Sequence, residues 1–272
     1  MNSSNLTPKP RTRIRLLLGK SYYTFRRRLL WTFGGIKFCV VKESNPYKYI
    51  YISHSTPLLR HLKDVEMVLQ YNKIANLEIA VKKINNIIIQ PGETFSYWKL
   101  IGKPTKRKGY KEGMILFHGT FQAGVGGGLC QLSNLIYWMA LHTPLTIIER
   151  YRHSYDVFPD SNRLLPFGSG ATCVYNYRDL MIRNDSKNPV QLKVWLTKDL
   201  LCGTIRSNVE PMEHYKVYEK EHYMTRELFG KYSRHNILYR RLYNELGAEI
   251  GEEYITENHA LMMYEPFIET SL

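Results

Sequence analysis

The 272 residues are 44% apolar and 13% aromatic, enough to bury a proper core in one large domain or two smaller ones. Lys and Arg outnumber Asp and Glu 38 to 24, a net charge of +14, and the excess is uneven: no acid precedes Glu43, while ten Lys and Arg lie between Lys9 and Lys42. No run approaches 18 apolar residues, the four cysteines show no CxxC spacing, and no helix-turn-helix or RNA-binding signature accompanies the charge; a transmembrane helix, a zinc knuckle, a disulfide scaffold and a nucleic-acid partner are set aside.

Residues 1–45 read as a basic arm, flexible or helical. Arg26-Arg27-Arg28-Leu29-Leu30-Trp31-Thr32-Phe33 puts arginines beside large apolar groups, the composition of segments that lie on anionic membrane surfaces, so residues 9–42 are read as a membrane-surface arm, with a merely solvated basic tail as the competing reading. No ordinary secretory signal is recognisable, and the expected location is the cytoplasm or the inner membrane face. Residues 46–209 form the main domain. Tyr47–Ile52 alternates as a strand, Leu58–Gln70 reads as a helix, and Asn72–Ile87 reads more strongly as one, with Ile74, Leu77, Val81 and Ile84 on one face. Ile87–Ile89 is a short buried strand ending in a turn at Pro91-Gly92. Gly102–Gly113 reads as an exposed loop, after which Met114–Phe117 is expected to return to the interior.

Gly124–Leu141 carries the chemistry. Gly126, Gly127 and Gly128 give a loop able to take φ > 0, and Leu132, Leu135, Ile136, Met139 and Ala140 then mark one face of a helix. Cys130 falls in its first turn, where free N–H groups and the positive end of the dipole can acidify a thiol and hold an oxyanion. Leu145–Ile148 reads as a strand leading to His153. The helix climbs roughly 18 Å from Cys130, and an antiparallel strand descends roughly 26 Å, so His153 can return beside the cysteine as its base. The competing reading makes Cys130 a small buried hydrophobe and His153 a structural histidine. A phosphate cradle is weak, as no Gly-Lys-Ser/Thr follows. A metal site of His118, Cys130 and His153 lacks short ligand spacing, and Glu93 and Glu149 do not make the paired acids of a glycosidase. No metal or other cofactor is implied.

Phe158–Ala171 reads as a loop, Thr172–Tyr177, Leu180–Asn184 and Val190–Leu196 as strands, with Trp98, Trp138 and Trp195 filling core. Residues 210–272 mix aromatics and charges in alternation over Tyr215–Met224, Ser233–Tyr243 and Glu253–Tyr264, a three-stranded meander, with a helix over Tyr232–Leu246 as the competing reading. The fold class is α+β: an antiparallel sheet packed with a few helices, plus a β-rich C-terminal meander.

Pro91–Ser96, Gly126–Asn134, Glu149-Arg150, His153-Ser154 and Gly168–Thr172 together resemble the VanW family, that of the accessory protein of VanB-type vancomycin-resistance operons. The similarity spans roughly Tyr47 to Val209. It implies a role in cell-wall metabolism or glycopeptide resistance. Some VanW-domain proteins act as L,D-transpeptidases, and by that likeness Cys130 attacks a peptidoglycan stem peptide or wall precursor with His153 as base. Gly126–Gly128 and Gln131 are then oxyanion candidates, and Ser133, Ser154 and Tyr175 substrate-binding ones. Many members carry an Asp where this chain has Gly170; Asp156 is the candidate orienting acid in its stead. The alternative is a non-catalytic binding or scaffold protein at the membrane or wall-precursor surface.

Overall fold

The computed structural model describes residues 12–59, 66–117, 119–157, 165–175 and 177–265. His118, the first half of the Phe158–Ala171 loop and the middle of the predicted Leu58–Gln70 helix lie outside them.

The basic arm is helical. Helix α1 (Arg13–Phe33) starts on Thr12, whose hydroxyl accepts from the Arg15 amide at 3.3 Å, and ends at Gly34. Strand β1 (Tyr49–Pro57) follows, then α2 (Met67–Ile84). The expected helix at Leu58 therefore begins only at Met67, because Pro57 and Leu58 complete the β1 edge. Short strands β2 (Ile87–Ile89) and β3 (Thr94–Ser96) flank the Pro91-Gly92 turn, and α3 (Tyr97–Ile101) is capped by Ser96.

Strands β4 (Glu112–Phe117) and β5 (Thr120–Val125) form a two-stranded hairpin. Met114–Leu116 thus pairs in a ribbon instead of entering the core, and Ile115 is exposed. Helix α4 (Cys130–Ala140) buries Leu132, Leu135, Ile136, Met139 and Ala140 as its periodicity requires. Strands β6 (Thr146–Glu149), β7 (Tyr155–Asp156) and β8 (Met181–Arg183) are short. Five longer strands follow: β9 (Val190–Leu196) with β10 (Leu200–Ser207), then β11 (Glu213–Arg226), β12 (Tyr232–Asn244) and β13 (Glu249–Met262).

The central sheet is antiparallel in the order β1-β10-β9-β2, and α2 and α4 pack on it. On β10, Gly203 opens the space that Met139 and Leu135 of α4 fill; a Cβ there would meet the Met139 methyl at 2.6 Å. A second small sheet, β3-β8-β6, lines the same core. Strand β9 keeps the predicted alternation at Val190, Leu192 and Val194. Gln191 is buried as well because its side chain accepts from the Tyr47 amide and donates to the Glu43 and Asn45 carbonyls. Trp98 and Trp138 are buried, whereas Trp195 faces outward and is 40% exposed.

The C-terminal meander forms as its alternation requires, in the order β11-β12-β13, and continues into β7. That last pairing is parallel, Leu261 with Tyr155 and Met262 with Asp156, so the meander is tied into the chain just past His153.

Candidate functional site

The loop before α4 is set by backbone crowding. Gly126 and Gly128 take φ of 79° and 87°, a region that costs other residues. At Gly127 a Cβ would sit 2.1 Å from the Gly113 carbonyl carbon and oxygen. The loop is fixed from outside: the Asn76 side-chain amide donates to the Gly127 carbonyl at 2.9 Å, and the Tyr97 hydroxyl to the Leu129 carbonyl at 2.8 Å.

Cys130 therefore opens α4 as its spacing requires. The amides of Gly126, Gly127 and Gln131 are engaged, with the Lys111, Gly124 and Gly128 carbonyls. Those of Gly128, Leu129 and Cys130 donate to no other group among the described residues. The open donors thus sit one to three residues before Gln131. Its side chain ties α4 to β1, donating to the Thr56 hydroxyl and the Pro57 carbonyl, both at 2.9 Å.

The thiol is not acidified in this arrangement. Cys130 keeps some exposed surface, but its sulfur is enclosed, and burial pushes the thiol up from its ordinary value against a bond to the Cys173 carbonyl at 3.8 Å. A helix start offers roughly 0.3–1 kcal/mol to a charge, and here desolvation outweighs it.

Thr172–Tyr177 is not a strand. Ala171 and Thr172 are shared between two neighbours: the Ala171 amide donates to the Asn134 side chain at 2.8 Å, and its carbonyl accepts from Ser133 at 2.7 Å. The Thr172 amide turns the other way, to the Tyr151 carbonyl at 2.7 Å. Val174 then closes a tight turn with Arg178. Ser133 is consequently a buried strut, and Gly170 is set by Asn134, whose Oδ1 would lie 2.7 Å from an added Cβ. Any side chain at 170 displaces Asn134. Tyr175 packs edge-on against Trp98 at 5.6 Å.

His153 lies past β6 and is half-buried. Among the described residues it makes no hydrogen bond to Cys130 or to any other group. The expected nine-residue descent to His153 stops after a four-residue strand, as β6 ends at Glu149. Arg150 instead turns inward and clamps the loop, bonding the Gly170 carbonyl at 2.9 Å, the Gly168 carbonyl, and Asn258 of β13 at 3.0 Å. Arg178 stands between the Tyr151 and Tyr177 rings, at 5.6 and 5.8 Å. Asp156 does not reach back to His153: it faces Arg234 at 3.4 Å and accepts from the Tyr264 hydroxyl at 2.8 Å. Ser154 is exposed and gives its carbonyl to the Leu261 amide. No group of three or more His, Cys, Asp or Glu side chains gathers among the described residues.

The sequence reading missed Cys173, Asp179 and Arg27. The Asp179 carboxylate accepts from the Ser96 hydroxyl at 2.5 Å and the Trp98 amide at 3.0 Å. Its neighbour Glu149 accepts the Asp179 amide at 3.0 Å and forms a two-pronged pair with Arg27 of α1 at 2.6 and 2.5 Å. No local pattern betrays these partners: Arg27 and Glu149 lie 122 residues apart, and Asp179 lies 83 from Ser96 and 81 from Trp98.

Burial, then the Arg178 and Arg150 cations, push His153 down to about 4 from the usual 6.5. Burial pushes Asp179 up to about 6 from 3.8, against its hydrogen bonds from Ser96 and Trp98. Below pH 6.5 the unfolded chain protonates His153 and the folded one does not until about 4, so this residue costs stability as pH falls through that window. Asp179 takes its proton first in the folded state and adds stability as pH falls from about 6 to 3.8. His153→Gln should therefore gain on wild type by about 3 kcal/mol between pH 7 and 4, and Asp179→Asn lose by about 2 kcal/mol. Urea melts across that range test this; parallel profiles for wild type and both variants would refute it.

These features define an α+β protein with a thiol at a helix start behind a glycine loop. The chain belongs to the VanW family, whose "VanW like protein" description matches residues 72–206, from α2 to β10. It is 36% identical over 184 residues to the vancomycin B-type resistance protein VanW of Enterococcus faecalis, covering 68% of this chain and 67% of that protein. It is 30% identical over 156 residues to the uncharacterized protein YoaR of Bacillus subtilis, covering 54% of this chain and half of YoaR. No solved structure matches it.

Proposed function

We propose that this chain is an accessory protein of glycopeptide resistance or cell-wall metabolism, acting by acyl transfer on Cys130. The supporting observation is the placement of that thiol beside the unengaged amides of Gly128, Leu129 and Cys130, with the resistance role of its Enterococcus relative giving the context. The thiolate attacks a peptide carbonyl, the amides hold the oxyanion, and a thioester forms as the amine leaves with a proton. A second amine or water then attacks the thioester and returns the thiolate. His153, uncharged at neutral pH, is the proton carrier once a substrate draws it to the sulfur.

Intact-mass analysis after incubation with a wall stem peptide tests this. The expected result is one acyl group on Cys130, absent in Cys130→Ala and formed about a hundredfold or more slowly in His153→Ala. The raised thiol and the unmade Cys–His bond favour a second reading, a binding protein that keeps the fold without the chemistry. Stem-peptide binding that survives Cys130→Ala unchanged, with no adduct in wild type, would establish that reading.

A further inference from the structure

Helix α1 carries its apolar residues on the wrong side for a helix of a folded core. Ile14, Leu18, Tyr22, Phe25, Leu29 and Phe33 follow one another at spacings of four, four, three, four and four, one continuous stripe. Each is between 41% and 79% exposed. The opposite side holds the helix to the protein: Arg27 pairs with Glu149, Trp31 packs on the core and its carbonyl accepts from Lys99 at 3.2 Å. Arg15 and Arg26 border one edge of the stripe and Arg28 the other, all exposed, and the helix contains no acid.

We infer that α1 lies flat on an anionic lipid bilayer, its apolar stripe among the acyl chains and its arginines at the headgroups. A helix of 21 residues with this many charges is an interfacial element, and among the described residues no helix is long and apolar enough to cross a membrane. The charge chooses the occupant. A second copy docked stripe to stripe would bring arginines against arginines, with no acid in either helix to relieve them. A convex ridge of large side chains suits a deformable lipid surface, and anionic headgroups supply the countercharge. The inference is independent of any chemistry at Cys130.

Cosedimentation of the full chain with phosphatidylcholine vesicles, with and without phosphatidylglycerol, tests it. The chain should pellet with the anionic vesicles only. Replacing Arg15, Arg26 and Arg28 together by Gln should weaken binding about a hundredfold, and Leu18→Ser with Phe25→Ser should abolish it. These side chains are solvent-facing, so the far-UV spectrum should match wild type in both. Failure to bind anionic vesicles, binding that ignores both sets of substitutions, or lipid-free dimers that the Ser variant dissolves would each overturn the assignment.

Discussion

Glu149→Ala should destabilise the fold by about 3–5 kcal/mol, the usual loss when one half of a buried ion pair is removed. Arg27 is 8% exposed and its guanidinium meets both Glu149 oxygens, so truncation leaves a desolvated cation. The Asp179 amide loses its acceptor in the same step. Arg27→Met with Glu149→Leu removes charge and countercharge together, and most of the lost stability should return. Urea denaturation followed by far-UV circular dichroism measures both, and Trp31 fluorescence reports whether α1 has lifted from the body. A loss below 1 kcal/mol in Glu149→Ala would mean the pair contributes little.

Gly127→Ala is the second large effect. The added methyl would meet the Gly113 carbonyl group at 2.1 Å, and both partners are backbone, so neither can rotate aside. Relief requires the β4–β5 ribbon to separate from the loop, at about 3 kcal/mol or more. Gly124→Ala is the control: its methyl would meet the Ile115 side chain at 2.8 Å, which can change rotamer. Thermal melts should separate the two by at least several degrees. Equal melting temperatures would show that the loop accommodates the methyl.

How far the chain could be read depended on where each element finds its partners. The meander declared itself because Tyr215–Met224, Ser233–Tyr243 and Glu253–Tyr264 alternate, and alternation survives whatever the neighbour is. Helix α4 declared itself through one apolar face. Thr172–Tyr177 has the same β-rich composition, yet the Thr172 amide is claimed by Tyr151, the preceding Ala171 by Asn134 and Ser133, and Val174 closes its own turn with Arg178. Composition states a preference, and tertiary bonds overrule it. The candidate site divides likewise. Cys130 was legible because a glycine loop and a helix start are local. Asp156 was not, since its partner Arg234 comes from β12. Glu149 and Arg150 stood out as part of a resemblance, but only the fold shows that one anchors α1 and the other clamps Gly168 and Gly170.

The stitching of residues 150–156 to β13 sets an order on biosynthesis. Arg150 bonds Asn258, Arg152 meets His259, and Tyr155 and Asp156 pair with Leu261 and Met262, each across more than a hundred residues. At ribosomal speeds of about 5–20 residues per second, the closing strand leaves the tunnel roughly 5–20 s after the segment it secures. Through that interval Cys130 and His153 belong to a nascent chain whose local helices have formed and whose longest-range contacts have not. Strand β13 completes the His153 side of the site only after that interval, so the newborn protein carries its thiol before it carries the surroundings that govern it.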